Sequence, residues 1–180
     1  IIFNYFKTKL GLQEFVINQF KPIALTTFIF QILIPTDTIG AIDQLLQNDF
    51  KRMGKTVASL ESIQMQYDLL YGLPIDFQKK ELLDAVQKED SLQMEIYRLD
   101  SAYCNQDIKG IALLLDDLKK HEYLSKELLS DFRNIKMIPK IETLLYQQSN
   151  LICVGAAHLS GEKGLINLLR LKGYTVSAVF

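Results

Sequence analysis

Apolar residues recur at mixed three- and four-residue spacing from Phe3 to Phe20 (Phe6, Leu10, Leu12, Phe15, Val16, Phe20), which predicts one or two helices closed by Pro22. From Pro22 to Ile34 the chain is apolar apart from Thr26, Thr27 and Gln31. That stretch has no clean period and reads as a buried element. Ile42, Leu45, Leu46 and Phe50 share a helical face, and Gly54 is placed to end that helix in a left-handed cap. Thr56 to Leu60 reads as a short strand. Ser62 can cap a following helix that carries Met65, Leu69 and Leu70 and stops near Gly72 and Pro74. Residues 76 to 130 read as mostly helical, through Leu82, Leu83 and Val86 and then Leu113, Leu114, Leu115 and Leu118, with the charges of 79 to 90 forming a solvated side. Helical spacing resumes from Tyr123 to Gln147. Pro139 lacks an N–H, so two helical pieces are expected to meet there.

The last forty residues change period. Leu151 to Val154 reads as a buried strand, Glu162 to Leu171 as a helix with Leu165, Ile166, Leu168 and Leu169 on one face, and Gly173 as its end. Tyr174 to Phe180 alternates. A strand-helix-strand unit with a right-handed crossover is the expected result. The predicted fold class is therefore α/β, helix-rich in the α+β manner: a small mixed sheet flanked by many helices. No repeat, low-complexity tract or linker divides the 180 residues, so residues 1–180 read as a single domain.

Composition narrows the function classes. With 48% apolar residues the chain can bury a core, which excludes disordered and fibrous classes. Twenty Lys and Arg against 21 Asp and Glu leave a formal charge of -1, so no global field draws a polyanion and nucleic acid is not expected as a partner. Cys104 and Cys153 have neither disulfide-framework nor zinc spacing; Cys153, in an apolar run, reads as a small buried hydrophobe, and Cys104 is undecided. The Pro22–Ile34 stretch falls short of the roughly 20 residues that span a bilayer. No transmembrane segment or signal peptide is read. A start at Ile1, inside patterned sequence, reads as a fragment.

Candidate chemistry concentrates after the Leu151–Val154 run, where Gly155, Ala156, Ala157 and His158 precede Leu159-Ser160-Gly161-Glu162-Lys163-Gly164. Three small residues allow close approach of a ligand or another backbone, and the first polar side chain is an imidazole. Open sheets bind ligands at the carboxyl ends of their strands, which puts His158 where a metal ligand or a general acid or base is expected. Spacing alone favours the plainer role of a hydrogen-bonded structural histidine, because a metal site needs three or four ligands. The other histidine, His121, sits in the charged run Lys119-Lys120-His121-Glu122 and reads as exposed. Ser160 and Gly161 fit an N-cap and first turn, with Glu162 favourably near the helix start. Serine-elbow, P-loop and dinucleotide motifs are absent. Glu61 ends the predicted Thr56–Leu60 strand; it is a cleft-edge candidate, and a charge on the next helix N-terminus is the favoured reading. Arg133 and Asn134 lie between apolar helical positions. A guanidinium there needs a partner if it turns inward and none if it faces water, and both remain open.

These residues resemble a known family. Val154-Gly155-Ala156-Ala157-His158-Leu159-Ser160-Gly161-Glu162-Lys163-Gly164-Leu165, then Leu168-Leu169 and Lys172-Gly173-Tyr174-Thr175-Val176, look like the C-terminal signature of the TraB/GumN family, related to the Tiki metalloproteases. Upstream, Asp131-Phe132-Arg133-Asn134 resembles its E-R-N element with Phe132 in place of the acid. Gly54-Lys55-Thr56-Val57, Leu60-Glu61-Ser62 and Gln66 are similar to its G-K-x-V, L-E-[ST] and Gln pattern. Gly40-Ala41-Ile42-Asp43 resembles its G-[IV]-D with one residue inserted, and Lys21-Pro22 its Lys-Pro before an apolar stretch.

The resemblance implies a site built from two G-x-x-H motifs and a glutamate, which in the Tiki branch go with metal-dependent cleavage of peptide bonds and a divalent ion such as Mn, Co or Zn. Carried over by position, His158 is the metal ligand or catalytic imidazole, and Gly155 gives substrate its close approach. Arg133 orients or stabilises a carboxylate or an oxyanion, with Asn134 beside it as a substrate contact. Glu61 offers a carboxylate to the cleft, and Phe132 removes a possible partner of Arg133. Only the second G-x-x-H is present. The first, with the family's essential acid, is expected before Ile1, its strand pairing with the Leu151 segment to bring a second imidazole to His158. The implied function is a metal-dependent peptide hydrolase, inactive as this chain alone. Two other readings stand beside it: a non-catalytic module that captures a peptide or small hydrophobic ligand, and a structural His158 in an interaction domain. The resemblance also implies an extracytoplasmic location, secreted, periplasmic or membrane-anchored, and is compatible with a homo-oligomer.

Overall fold

A computed structural model of the chain describes residues 1–34, 41–117 and 127–179, with the backbone alone at Leu128. The described elements are α1 (Ile2–Leu10), α2 (Glu14–Ile17), α3 (Pro22–Leu33), α4 (Ile42–Arg52), α5 (Ile63–Tyr71), α6 (Ile75–Gln87), α7 (Glu89–Cys104), α8 (Ile108–Asp117), α9 (Phe132–Gln147) and α10 (Leu165–Leu171). A π-helical turn at Glu127–Asp131 leads into α9, and a 3-10 turn at Ala156–His158 lies between α9 and α10. Among the described residues there is no strand, so the expected α/β fold with a mixed sheet is overturned in favour of an all-helical one. The reason lies in what alternation encodes. At 151–155 the odd positions are exposed while Ile152 and Val154 turn inward onto a core, and Tyr174 and Val176 alternate with exposed neighbours in the same way. The two-faced pattern is therefore real. A strand further requires a hydrogen-bonded neighbour, and none of the described segments supplies one. Cys153, on the outward side of this segment, is exposed rather than buried, and Cys104 is exposed as well.

The chain forms two compact units. The first comprises Ile1–Ile39 and Ile63–Arg98. Its core is Phe6, Ile17, Leu25, Ile29, Leu33 and Leu82, with Ala85, Val86, Leu92 and Ile96 packed against it. Here the evenly apolar stretch becomes α3, started by Pro22 at a position where no N–H is missed. Its buried residues Ile23, Leu25, Thr26, Ile29 and Leu33 leave a polar-apolar stripe of Thr27, Phe30, Gln31 and Ile34 outside. No side chain of its own N-terminus caps α3. The cap comes from α6: Gln78, 2% exposed, accepts the Ile23 N–H at Oε1 (3.3 Å) while its Nε2 donates to the Leu73 carbonyl (2.7 Å). Tyr5 on α1 donates its hydroxyl to Glu89 of α7 (3.1 Å), which also receives Lys9 (2.8 Å).

The second unit comprises Gly40–Ser62 and Leu99–Phe180. Met137, Ile138 and Ile141 of α9 meet Leu165 of α10 in its core, with Leu60, Ile152, Val154, Leu168 and Leu169 around them. Pro139 does not divide α9, contrary to expectation. The carbonyl that loses its partner belongs to Ile135, an exposed residue, so water can replace the missing bond without breaking the helix. Helix α4 ends as its sequence predicts: Gly54, at φ 69°, is followed by the paired bonds Lys55 N–H to Phe50 O and Gly54 N–H to Lys51 O. Its apolar face, however, buries nothing.

Two outcomes are expected from the first unit. Gln78→Leu strands the Ile23 donor and the Leu73 acceptor together and should cost about 1–3 kcal/mol in urea unfolding. Tyr5, whose pKa is pushed from 10.0 up to about 12 by burial first and then by the Glu89 carboxylate, favours the neutral phenol in the folded state. Its contribution should be complete below pH 10 and lost as pH rises through about 12. Comparison of phenolate absorbance in the wild type and Tyr5→Phe checks this.

Candidate functional site

The first turn of α9 presents two adjacent polar side chains inward. Arg133 donates from Nε to Glu61 Oε1 (2.8 Å), from its NH2 nitrogen to Glu61 Oε2 (2.5 Å), and from NH1 to the Leu129 carbonyl in the π turn (2.8 Å). The open question of its direction is thus settled: it turns inward. The Glu61 side chain is 4% exposed and that of Arg133 21%. This two-point fork suits a carboxylate, and burial without it would leave an unpaired charge. Glu61 is therefore one half of a buried ion pair rather than a solvated charge at the start of α5. The segment carrying it is fastened to α9 twice more, by Lys140 Nζ donating to the Ser59 carbonyl and by Leu60 packing into the core. Because Arg133, Met137 and Lys140 recur at helical spacing, one edge of α9 holds residues 59 to 61 along two turns.

Phe132 does not deprive Arg133 of a partner, since Glu61 supplies it. Phe132 lies largely outside, where Lys163 sits 5.7 Å from its ring centroid and also pairs with Glu127 (3.3 Å).

Asn134 is completely buried. Its Nδ2 donates to the carbonyls of His158 (3.1 Å) and Lys163 (2.8 Å), and its Oδ1 stands 2.6 Å from His158 Nδ1. His158, 8% exposed, closes the 3-10 turn through its N–H to Gly155 O (2.9 Å). Its pKa is lowered from 6.5, first by burial and then by the Arg133 cation, with Glu61 pulling the other way. The ring is thereby held toward its neutral form. Helix α8 packs beside this turn.

The remaining candidates are placed differently. Gly155 is exposed, and a Cβ there would meet only His158 Cδ2, at 4.0 Å. The glycine that the local packing requires is Gly164, where a Cβ would fall 2.5 Å from the Leu159 carbonyl oxygen and the Ser160 backbone. Gly164, not Ser160, is the N-cap residue of α10. Ser160 is instead buried with an Oγ that has no partner among the described residues. His121 lies outside the described residues. Sequence reasoning missed the Leu129 and Lys163 carbonyls as partners, because backbone acceptors carry no residue signature.

A neutral imidazole fits the role of one divalent-metal ligand. Among the described residues no three His, Cys, Asp or Glu side chains converge, and Glu61 is already neutralised by Arg133. The described residues thus supply one donor rather than a set.

The lowered pKa of His158 has a consequence for stability. As pH falls below 6.5 the unfolded chain takes its proton first, so the contribution of the neutral ring is complete above 6.5 and lost as pH falls through the native value. Urea midpoints should decline on acidification through this range, and His158→Gln should flatten that part of the profile.

Neither a curated protein nor a solved structure matches the chain. The model described as TraB/PrgY/gumN family matches residues 3–178, taking in Glu61, Arg133, Asn134 and His158. The match spans nearly the whole sequence, and the chain belongs to the TraB/PrgY/gumN family.

Proposed function

We propose that the chain carries one half of a metal-dependent hydrolytic site for peptide bonds, with His158 as its working side chain. The observation that carries this reading is a neutral-leaning imidazole held beside a buried guanidinium–carboxylate pair. Burying charge is costly, and perturbed titratable groups gather at functional sites more often than in ordinary cores. A neutral imidazole offers one unprotonated nitrogen, which can ligate a divalent ion or take a proton from water attacking a carbonyl. Arg133, the less buried partner of its pair, is the residue carried over as stabiliser of a carboxylate or an oxyanion, and it acts as part of the pair with Glu61. In this reading the other donors come from outside the described residues, and the chain alone is inactive. An extracytoplasmic location belongs to the same proposal.

A second reading, capture of a peptide or small apolar ligand without cleavage, is favoured by α4, whose Ile42, with Met53 just beyond its end, leaves apolar surface uncovered. The two readings are separated by turnover. In a protein carrying this chain together with another G-x-x-H segment, His158→Ala should lower peptide cleavage in Mn2+, Co2+ or Zn2+ by about 100-fold or more. Unchanged cleavage would remove the hydrolase proposal, and peptide binding with neither cleavage nor metal dependence would establish capture.

A further inference from the structure

We infer that Asn134 is a positioning residue that decides which ring nitrogen of His158 carries the hydrogen. The amide group of Asn134 can be oriented in only one satisfactory way. One of its ends faces two carbonyl oxygens, of His158 at 3.1 Å and Lys163 at 2.8 Å, and only an NH2 group can donate to both. An oxygen in that place would meet two acceptors. The amide oxygen is therefore the atom 2.6 Å from His158 Nδ1, and an amide oxygen can only accept. It follows that Nδ1 carries the N–H. A neutral imidazole has a single ring hydrogen, so Nε2 is left with a bare lone pair.

The opposite tautomer would set two lone pairs against each other at 2.6 Å, beside an amide that is 0% exposed and cannot turn to water for relief. The same amide also fastens residues 158 and 163, the two ends of the loop that follows the 3-10 turn, so ring orientation and loop position are set by one side chain. Asn134 thus acts through His158, in the way that an outer hydrogen-bond partner orients a ligating or proton-accepting imidazole. Its consequence for catalysis rests on the reading of His158 as the working side chain. The tautomer itself does not.

Long-range proton–nitrogen correlation on the nitrogen-labelled 180-residue chain, at mildly alkaline pH and with neither metal nor substrate, tests this directly. His158 is identified by the signal that His158→Gln removes. The expected spectrum has a protonated Nδ1 and an unprotonated Nε2 in the wild type, and a population shifted toward Nε2–H in Asn134→Ala. An Nε2–H ring in the wild type would overturn the inference, as would an Asn134→Ala spectrum that keeps the wild-type pattern. If Asn134→Ala does not fold, the wild-type spectrum alone decides. Failure to find hydrolysis leaves this result untouched, and a wrong tautomer leaves the hydrolase reading to its own test.

Discussion

The bidentate pair between Glu61 and Arg133 is the constraint on which the arrangement of the second unit turns. A guanidinium and a carboxylate taken out of water lose several kcal/mol of solvation each, on the order found for buried ions, and recover it only in good geometry with further hydrogen bonds. Both conditions hold here: two contacts to the carboxylate and a third from Arg133 to the Leu129 carbonyl. The pair commits the 59–61 segment to one edge of α9 and orients the π turn that precedes it. It also sets the field at the imidazole, where the cation and the carboxylate act in opposite senses and burial tips the balance toward the neutral ring.

Around that pair the polar groups divide their work. Arg133 faces a charge, while its neighbour Asn134 faces two carbonyls and a ring. Buried polar groups of this kind are tolerated because nearly every donor has an acceptor. Such a cluster is consistent with chemistry and also with a firmly tied loop, which is why the functional reading rests on the state of the ring and not on the existence of the network. Family membership narrows the field of activities without choosing among them, since function resides in the site and not in the fold.

Local pattern was the legible part of the sequence. Spacing at three and four positions foretold the helices of the first 20 residues, of 42 to 52 and of 165 to 171, and Gly54 foretold an end. His158, Glu61 and the adjacent pair Arg133 and Asn134 stand out at three separate places in the sequence, and the fold gathers them into one cluster. What could not be read was non-local. Arg133 and Glu61 are 72 positions apart, Gln78 and Ile23 are 55, and nothing near either residue announces its partner. The continuous apolar run at 151 to 154 predicts a strand buried on both faces, and its four apolar letters hide that Leu151 and Cys153 look outward and that, among the described residues, no neighbouring strand pairs with it. Pro139 misled because the rule concerns a lost bond, whereas the outcome depends on whether water can reach the orphaned carbonyl.

That proline divides the labour within α9. The cluster-bearing turn at Arg133 and Asn134 precedes it, and Ile141 with the C-terminal half of the helix follows. With one rung missing between them, the two halves are joined by a softer stretch than an unbroken helix would provide. Any bending of α9 concentrates at that stretch. Because Met137 and Ile138 before the proline and Ile141 after it share one core with Leu165, the packing against α10 spans that stretch and holds it in register.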